Sequence, residues 1–301
     1  MPPVTANAPT TLPLPTSYLP AVPPRFISRR GRVRRVELAL ASAALGREVR
    51  ITALLPPGYR LNLLARYPVL LVNDGQDFGA LDLERRLGLA YRDGAVAPRI
   101  VVGLHADHDR MREYGTSGAP DYAGRGDRAD AYRRFVIREA LPFLRARFRL
   151  RKTREHVAVC GFSLGALSAF DVAWHHPDLI GHVGCFSGSF WWRSAPFDPR
   201  RPDADRIAVE RVRAAARPAD LRYHFAVGTA EETSDRNANG IIDAIDDTLD
   251  LIGALRARGV AQEAISYHVV DGGRHDQATW GPALIDWLRR ARQGAPGIGL
   301  A

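Results

Sequence analysis

The stretch His156-Val-Ala-Val-Cys-Gly161-Phe-Ser163-Leu-Gly165-Ala-Leu-Ser-Ala-Phe-Asp-Val-Ala-Trp174 decides the fold. It opens as a short apolar run suited to a fully buried strand, and from Leu164 to His175 it takes on helical spacing. Between the two lies G-x-S-x-G. A chain that passes from strand to helix so abruptly holds Ser163 in strained backbone geometry. Side chains at the flanking positions would strike neighbouring backbone, and Gly161 and Gly165 remove those collisions. The helix N-terminus and the Leu164 amide then face any negative charge formed at Ser163. The pentapeptide alone is a weak signal, but between strand and helix it makes Ser163 the candidate nucleophile.

Outward from this turn the same rhythm repeats. Apolar runs at Tyr67–Asn73, Arg99–Leu104, His182–Ser187, Tyr223–Gly228 and Ile265–Val270 alternate with helical stretches. Those stretches are Leu81–Tyr91, Ala131–Phe148, Ile241–Arg258 and Ala278–Arg292. Such alternation predicts an α/β fold whose mostly parallel central sheet carries helices on both faces. Arg32–Leu40 and Arg47–Pro56 instead alternate polar and apolar residues, and they predict an antiparallel N-terminal edge. Ligands of such sheets bind beyond the carboxyl ends of the strands, so each strand-to-helix turn is a place to look for chemistry.

At 301 residues, 46% hydrophobic and 25% charged, the chain suits one soluble domain over residues 26–295. Residues 1–25 are rich in Pro, Thr and Ala and read as a flexible tail without a secretory signal, so a cytoplasmic location is expected. The net charge is +9, yet Lys152 is the only lysine and the arginines are scattered. Neither a nucleic-acid nor a membrane partner is therefore expected. No apolar stretch reaches the ~20 residues of a membrane span. Cys160 and Cys185 lie in apolar strands and read as reduced core thiols. Oligomeric state is open.

Of nine histidines, His156, His182, His224 and His268 lie in or beside strands, and His175 and His176 end a helix. His105 and His108 read as a solvated rim. His275 follows the last strand in Asp271-Gly-Gly-Arg-His-Asp276, a loop able to swing an imidazole over the sheet. This gives the chain order nucleophile, acid, base of the α/β-hydrolase fold. The acid should follow Tyr223–Gly228, where Glu231 comes first and Glu232 is the alternative. The second oxyanion donor should come from Asn73-Asp-Gly-Gln76-Asp, with the Gln76 amide beside that of Leu164.

Asp235-Arg-Asn-Ala-Asn-Gly-Ile-Ile-Asp-Ala-Ile-Asp246 has the twelve-residue spacing of a calcium loop. Asp235, Asn237, Asn239, Ile241, Asp243 and Asp246 would be the ligands, and Gly240 permits the sharp turn. Asp246 stands where a bidentate Glu is usual, which weakens the site. The competing reading is an acidic loop that caps the following helix. A structural Ca²⁺ is the only ion expected; catalysis should need no cofactor.

From about Arg32 to Arg292 the chain resembles the "putative esterase" branch of α/β-hydrolases, which includes enterochelin esterases, feruloyl esterases, S-formylglutathione hydrolases and mycolyltransferases. The landmarks are Leu55-Pro-Pro-Gly-Tyr59, Leu71-Val-Asn-Asp-Gly-Gln76, Arg112-Glu-Tyr114, Phe135–Pro142, Gly161–Gly165, Phe186-Ser-Gly-Ser189 and Gly272–His275. The resemblance implies a triad of Ser163, His275 and a carboxylate near Glu231, with Gln76 and Leu164 as oxyanion donors. It also places Arg112, Glu113 and Tyr114 near the pocket, or as anchors of a loop. Trp191 and Trp192 are either an aromatic wall for substrate or core packing. The expected activity is hydrolysis of a small-molecule carboxylic ester through an acyl-enzyme, of siderophore or feruloyl type. The alternatives are an acyltransferase with the same triad and a non-catalytic binding relative.

Overall fold

The computed structural model describes residues 32–216 and 218–290. The proposed tail, residues 1–25, lies outside the described residues. Among the described residues eight strands form one sheet: β1 Arg34–Ser42, β2 Arg47–Leu55, β3 Val69–Asn73, β4 Ile100–Leu104, β5 Val157–Phe162, β6 His182–Phe186, β7 Arg222–Gly228 and β8 Ile265–Val270. Their order is β1-β2-β4-β3-β5-β6-β7-β8. β1 and β2 pair antiparallel in the register Arg34 opposite Leu55, β2 joins β4 antiparallel, and every later pairing is parallel. β3 to β7 are apolar nearly throughout because both of their faces are covered.

The α-helices are α1 Leu83–Arg92, α2 Arg110–Glu113, α3 Ala129–Arg134, α4 Leu141–Arg147, α5 Leu164–His175, α6 Ile207–Ala214, α7 Asp243–Ala257 and α8 Gln277–Arg290. Two apolar cores result. One lies between the sheet and α3 to α7, and the other lies under α1 and α8. Cys185 belongs to the first and Cys160 to the second. In the β5–β6 register Cys185 stands opposite Gly161 while Cys160 faces Gly184, so the two thiols point to opposite sides of the sheet.

The helix expected over Ala131–Phe148 is interrupted by a π-helical turn, Phe135–Ala140. Pro142 has no N–H to give, and the hydrogen-bond ladder widens just ahead of it. α6 lies between the apolar runs His182–Ser187 and Tyr223–Gly228, where the sequence predicts no helix, and α7 begins at Asp243 rather than Ile241.

The chain leaves β3 for β4 on one side and returns to β5 on the other. This reversal makes the carboxyl ends of β3 and β5 the switch point where such sheets open a crevice. Asp74 and Ser163 stand at those two ends.

Candidate active site

Ser163 sits between β5 and α5 at φ 54° and ψ −125°, a strained conformation for a residue with a side chain. The glycines beside it fit by necessity. A Cβ on Gly161 would lie 2.2 Å from the Gly165 carbonyl oxygen, and one on Gly165 would lie 2.7 Å from Asp74 Oδ2. The Ser163 amide is fixed by the Phe186 carbonyl at the end of β6 (2.9 Å). Its Oγ lies 3.4 Å from Ser189 Oγ. Leu164 opens α5, so its N–H has no acceptor within the helix.

Across the crevice, Asp74 is itself left-handed (φ 62°) and 2% exposed. Arg110 grips its carboxylate with two bonds, Nε to Oδ1 at 2.7 Å and Nη2 to Oδ2 at 2.8 Å. Gln76 Nε2 donates to Oδ1 at 2.9 Å, while Gln76 Oε1 accepts from the Ala106 amide at 3.0 Å. The Gln76 side chain is thus spent on bracing the loop. Its backbone amide precedes the first bond of the turn, Asp77 N to Asp74 O, and stays available to a ligand. Asn73 ties this loop to the elbow: its Nδ2 donates to the Gly165 carbonyl at 2.7 Å, and its Oδ1 accepts from Tyr132 Oη at 2.6 Å.

His275 and Glu231 meet over the ends of β7 and β8. His275 Nδ1 lies 2.9 Å from Glu231 Oε2. Glu231 is buried, whereas the imidazole is 42% exposed. The other oxygen, Oε1, accepts from the Gly228 amide (2.6 Å) and from Ser187 Oγ (2.5 Å). Ser187 Oγ in turn accepts from Trp280 Nε1 at 2.7 Å. The Trp280 ring meets the imidazole edge-on, 5.0 Å between centroids. With Nδ1–H donated to the carboxylate, His275 Nε2 is left as the acceptor. Glu232 turns away: its Oε1 accepts from the Ala244 amide at 2.7 Å, and burial raises its pKa.

Of the residues expected near the pocket or as loop anchors, Tyr114 lies beside the elbow and Arg112 does not. Tyr114 is fully buried, and its Oη accepts from the Asp74 amide at 3.1 Å. Its hydroxyl pKa is pushed well up, first by burial. Arg112 faces solvent in a bidentate pair with Asp127. Tyr114 therefore braces the loop, and Arg110, which the sequence does not single out, reaches the crevice. Trp191 is 41% exposed and borders a cavity of about 460 Å³ together with Phe197, Arg193, Asp235 and Asp247. Trp192 is core. Ser187, Ser189, Asp74 and Trp280 carry the second layer of the site. Ser187 and Ser189 are visible in the Phe186–Ser189 landmark, but nothing local states what they touch.

A family model described as "Putative esterase" matches residues 42–291. The chain belongs to this esterase family. It is accordingly a carboxylic ester hydrolase, and the family's catalysis needs no cofactor. Among curated relatives, the chain is 20% identical over 246 residues to the uncharacterized protein YbbA of Bacillus subtilis, covering 79% of this chain and 92% of that one. It is 29% identical over 154 residues to an iron(III) salmochelin esterase of Escherichia coli O6:H1, covering 49% of this chain but only 34% of the relative. Among solved structures, a ferulic acid esterase superposes with a TM-score of 0.66 at 20% identity, over 86% of this chain and 98% of that one. The enterobactin esterase of Shigella flexneri, solved in the presence of enterobactin, gives 0.67 at 19%, over 89% of this chain and 61% of its own. At these identities the structural likeness concerns the α/β-hydrolase fold.

In this esterase the loop after Glu231 is a self-capped turn. Asp235 accepts from the amides of Asn239 (3.0 Å) and Gly240 (2.8 Å), and Asn239 Oδ1 accepts from Ile241 N. Asp246 receives the side-chain amides of Asn237 (2.9 Å) and Asn239 (3.3 Å). Asp246 clusters with Asp203 and Asp250 rather than with Asp235. The Arg236 guanidinium lies among Asp203, Asp243, Asp246 and Asp247, between 3.0 and 3.1 Å from each. Among the described residues no helix is long and apolar enough to cross a membrane.

Proposed function

We propose that this chain is a serine esterase working through a Ser163–His275–Glu231 triad and an acyl-enzyme. The observation that carries the reading is the strained Ser163 at the switch point, together with an imidazole whose Nδ1 is committed to a buried carboxylate. Ser163 Oγ attacks the ester carbonyl while His275 Nε2 takes its proton. Glu231 holds the imidazole in that tautomer and stabilises the imidazolium. The amides of Leu164 and Gln76 bind the developing oxyanion. His275 then returns the proton to the departing alcohol, and an activated water releases the acyl group from Ser163. Trp191 is proposed as a wall for the substrate. A bulky small-molecule ester of the siderophore or feruloyl kind is the proposed class, in keeping with the titles of the structural neighbours. Labelling with a fluorophosphonate tests the mechanism. An adduct on Ser163 that disappears in His275→Ala is expected, and no adduct on folded wild type would overturn it.

The loop 235–246 is further proposed to take a structural Ca²⁺ through Asp235, Asn237, Asn239, Ile241, Asp243 and Asp246. All-oxygen donors suit that ion. Arg236 already neutralises Asp243 and Asp246, so the ion must displace it and binding is expected only near millimolar Ca²⁺. Identical melting with calcium and with chelator would remove the ion from the proposal.

A further inference from the structure

At the opposite end of the sheet, the connection from β2 to β3 carries Leu61, Leu63 and Leu64, which are 81%, 69% and 95% exposed. Apolar side chains this exposed and this close together are uncommon on a surface with no partner. Their loop is not loosely held. Tyr67 N donates to the Arg149 carbonyl at 2.8 Å, and Arg151 N donates to the Tyr67 carbonyl at 2.9 Å. Arg149 N donates to Tyr59 Oη at 3.1 Å, and its guanidinium lies 3.9 Å over the Tyr59 ring. The base is anchored and the three leucines project from it.

The two segments that these contacts join carry charge of one sign. No acidic residue occurs from Pro56 to Asn73 or from Arg145 to Arg154. Arg60, Arg66, Arg145, Arg147, Arg149 and Lys152 lie on these two segments. Arg154, at the margin, pairs with Asp220; none of those six pairs with a carboxylate among the described residues. Around the active site the reverse holds, because Arg47, Arg110, Arg128, Arg206 and Arg236 all meet carboxylates. Sequence alone shows scattered arginines; the fold sorts them into a neutralised set and an unneutralised set.

We propose that this face docks the enzyme peripherally on an anionic lipid surface. Leu61, Leu63 and Leu64 would enter the headgroup–acyl boundary, and the surrounding guanidiniums would meet lipid phosphates. A projecting apolar tip beside cationic segments fits a plane that is negative outside and apolar beneath. A protein partner would instead have to offer a concave acidic seat. β5 separates this face from Ser163 by about 20 Å of strand, so docking leaves the crevice open to water and to a soluble substrate.

The test is co-sedimentation of the full chain with phosphatidylcholine vesicles, with and without phosphatidylglycerol. Binding is expected only to the anionic vesicles and should weaken with salt. The triple variant Leu61→Ser, Leu63→Ser, Leu64→Ser should lose about tenfold or more in vesicle affinity. Arg60→Gln with Arg66→Gln and Arg147→Gln should reduce both the affinity and its salt dependence. Turnover of a soluble ester should stay unchanged in both variants, which also reports that they fold. The proposal falls if wild type ignores anionic vesicles, or if the leucine variant binds them equally. It falls too if wild type self-associates without lipid and the leucine variant does not, which would make the loop a contact between copies.

Discussion

The Ser163 turn and the His275–Glu231 pair, the two halves of the proposed site, are built by opposite means. Around Ser163 the geometry is made by backbone within five residues. Gly161 and Gly165 clear the space, and the flanking strand and helix fix the direction. The His275–Glu231 pair is instead assembled from four separate places. Glu231 follows β7, His275 follows β8, and both are steadied by Ser187 after β6 and Trp280 on α8. One half depends on steric exclusion, and the other on a hydrogen-bond chain whose members lie 44 to 93 residues apart.

The largest effect should come from removing the proposed attacking atom. Ser163→Ala is expected to lower kcat by about 10⁶-fold with no loss of folded protein, read by ester turnover beside a melting curve. Substantial surviving turnover would place the chemistry elsewhere. Next, Glu231→Gln should cost about 10⁴-fold in kcat, whereas Glu232→Gln, which caps α7, should change it by less than about threefold. Equal effects of the two would undo the distinction between them. Gly161→Ala tests the steric half. Its new methyl meets the Gly165 carbonyl, a backbone group that cannot rotate aside, and should destabilise by about 3 kcal/mol. Unchanged melting would mean that the turn relaxes freely. The smallest effect is expected from Ser187→Ala. It leaves Glu231 Oε1 with only the Gly228 amide and the Trp280 indole N–H unpaired. A loss of about tenfold in kcat, with KM nearly constant, is expected; a change in KM alone would assign Ser187 to substrate binding.

The same contrast explains what could be read early. The parallel strands are continuous apolar runs because both of their faces are buried, so their positions are legible within a residue or two. The elbow is legible because its constraint is local. α6 is not legible in the sequence, since Ile207–Ala214 owes its helix to packing over the sheet as much as to its own short pattern. The separate destinations of Arg110, Arg112 and Tyr114 are hidden from the sequence for a similar reason. Along the chain Arg110, Arg112 and Tyr114 are near neighbours, but one turn of helix sends Arg110 to Asp74, Arg112 to solvent and Tyr114 into the core.

By itself the sequence determined the layered sheet, the strained serine and the order of the candidate groups, because periodicity and glycine placement act through a few adjacent residues. Tertiary structure alone decided that Glu231 rather than Glu232 faces His275, and that Ser187, itself held by Trp280, fixes that carboxylate. It also decided which arginines are neutralised. Those outcomes depend on where distant loops come to lie over the strand ends, and a local pattern carries no record of that.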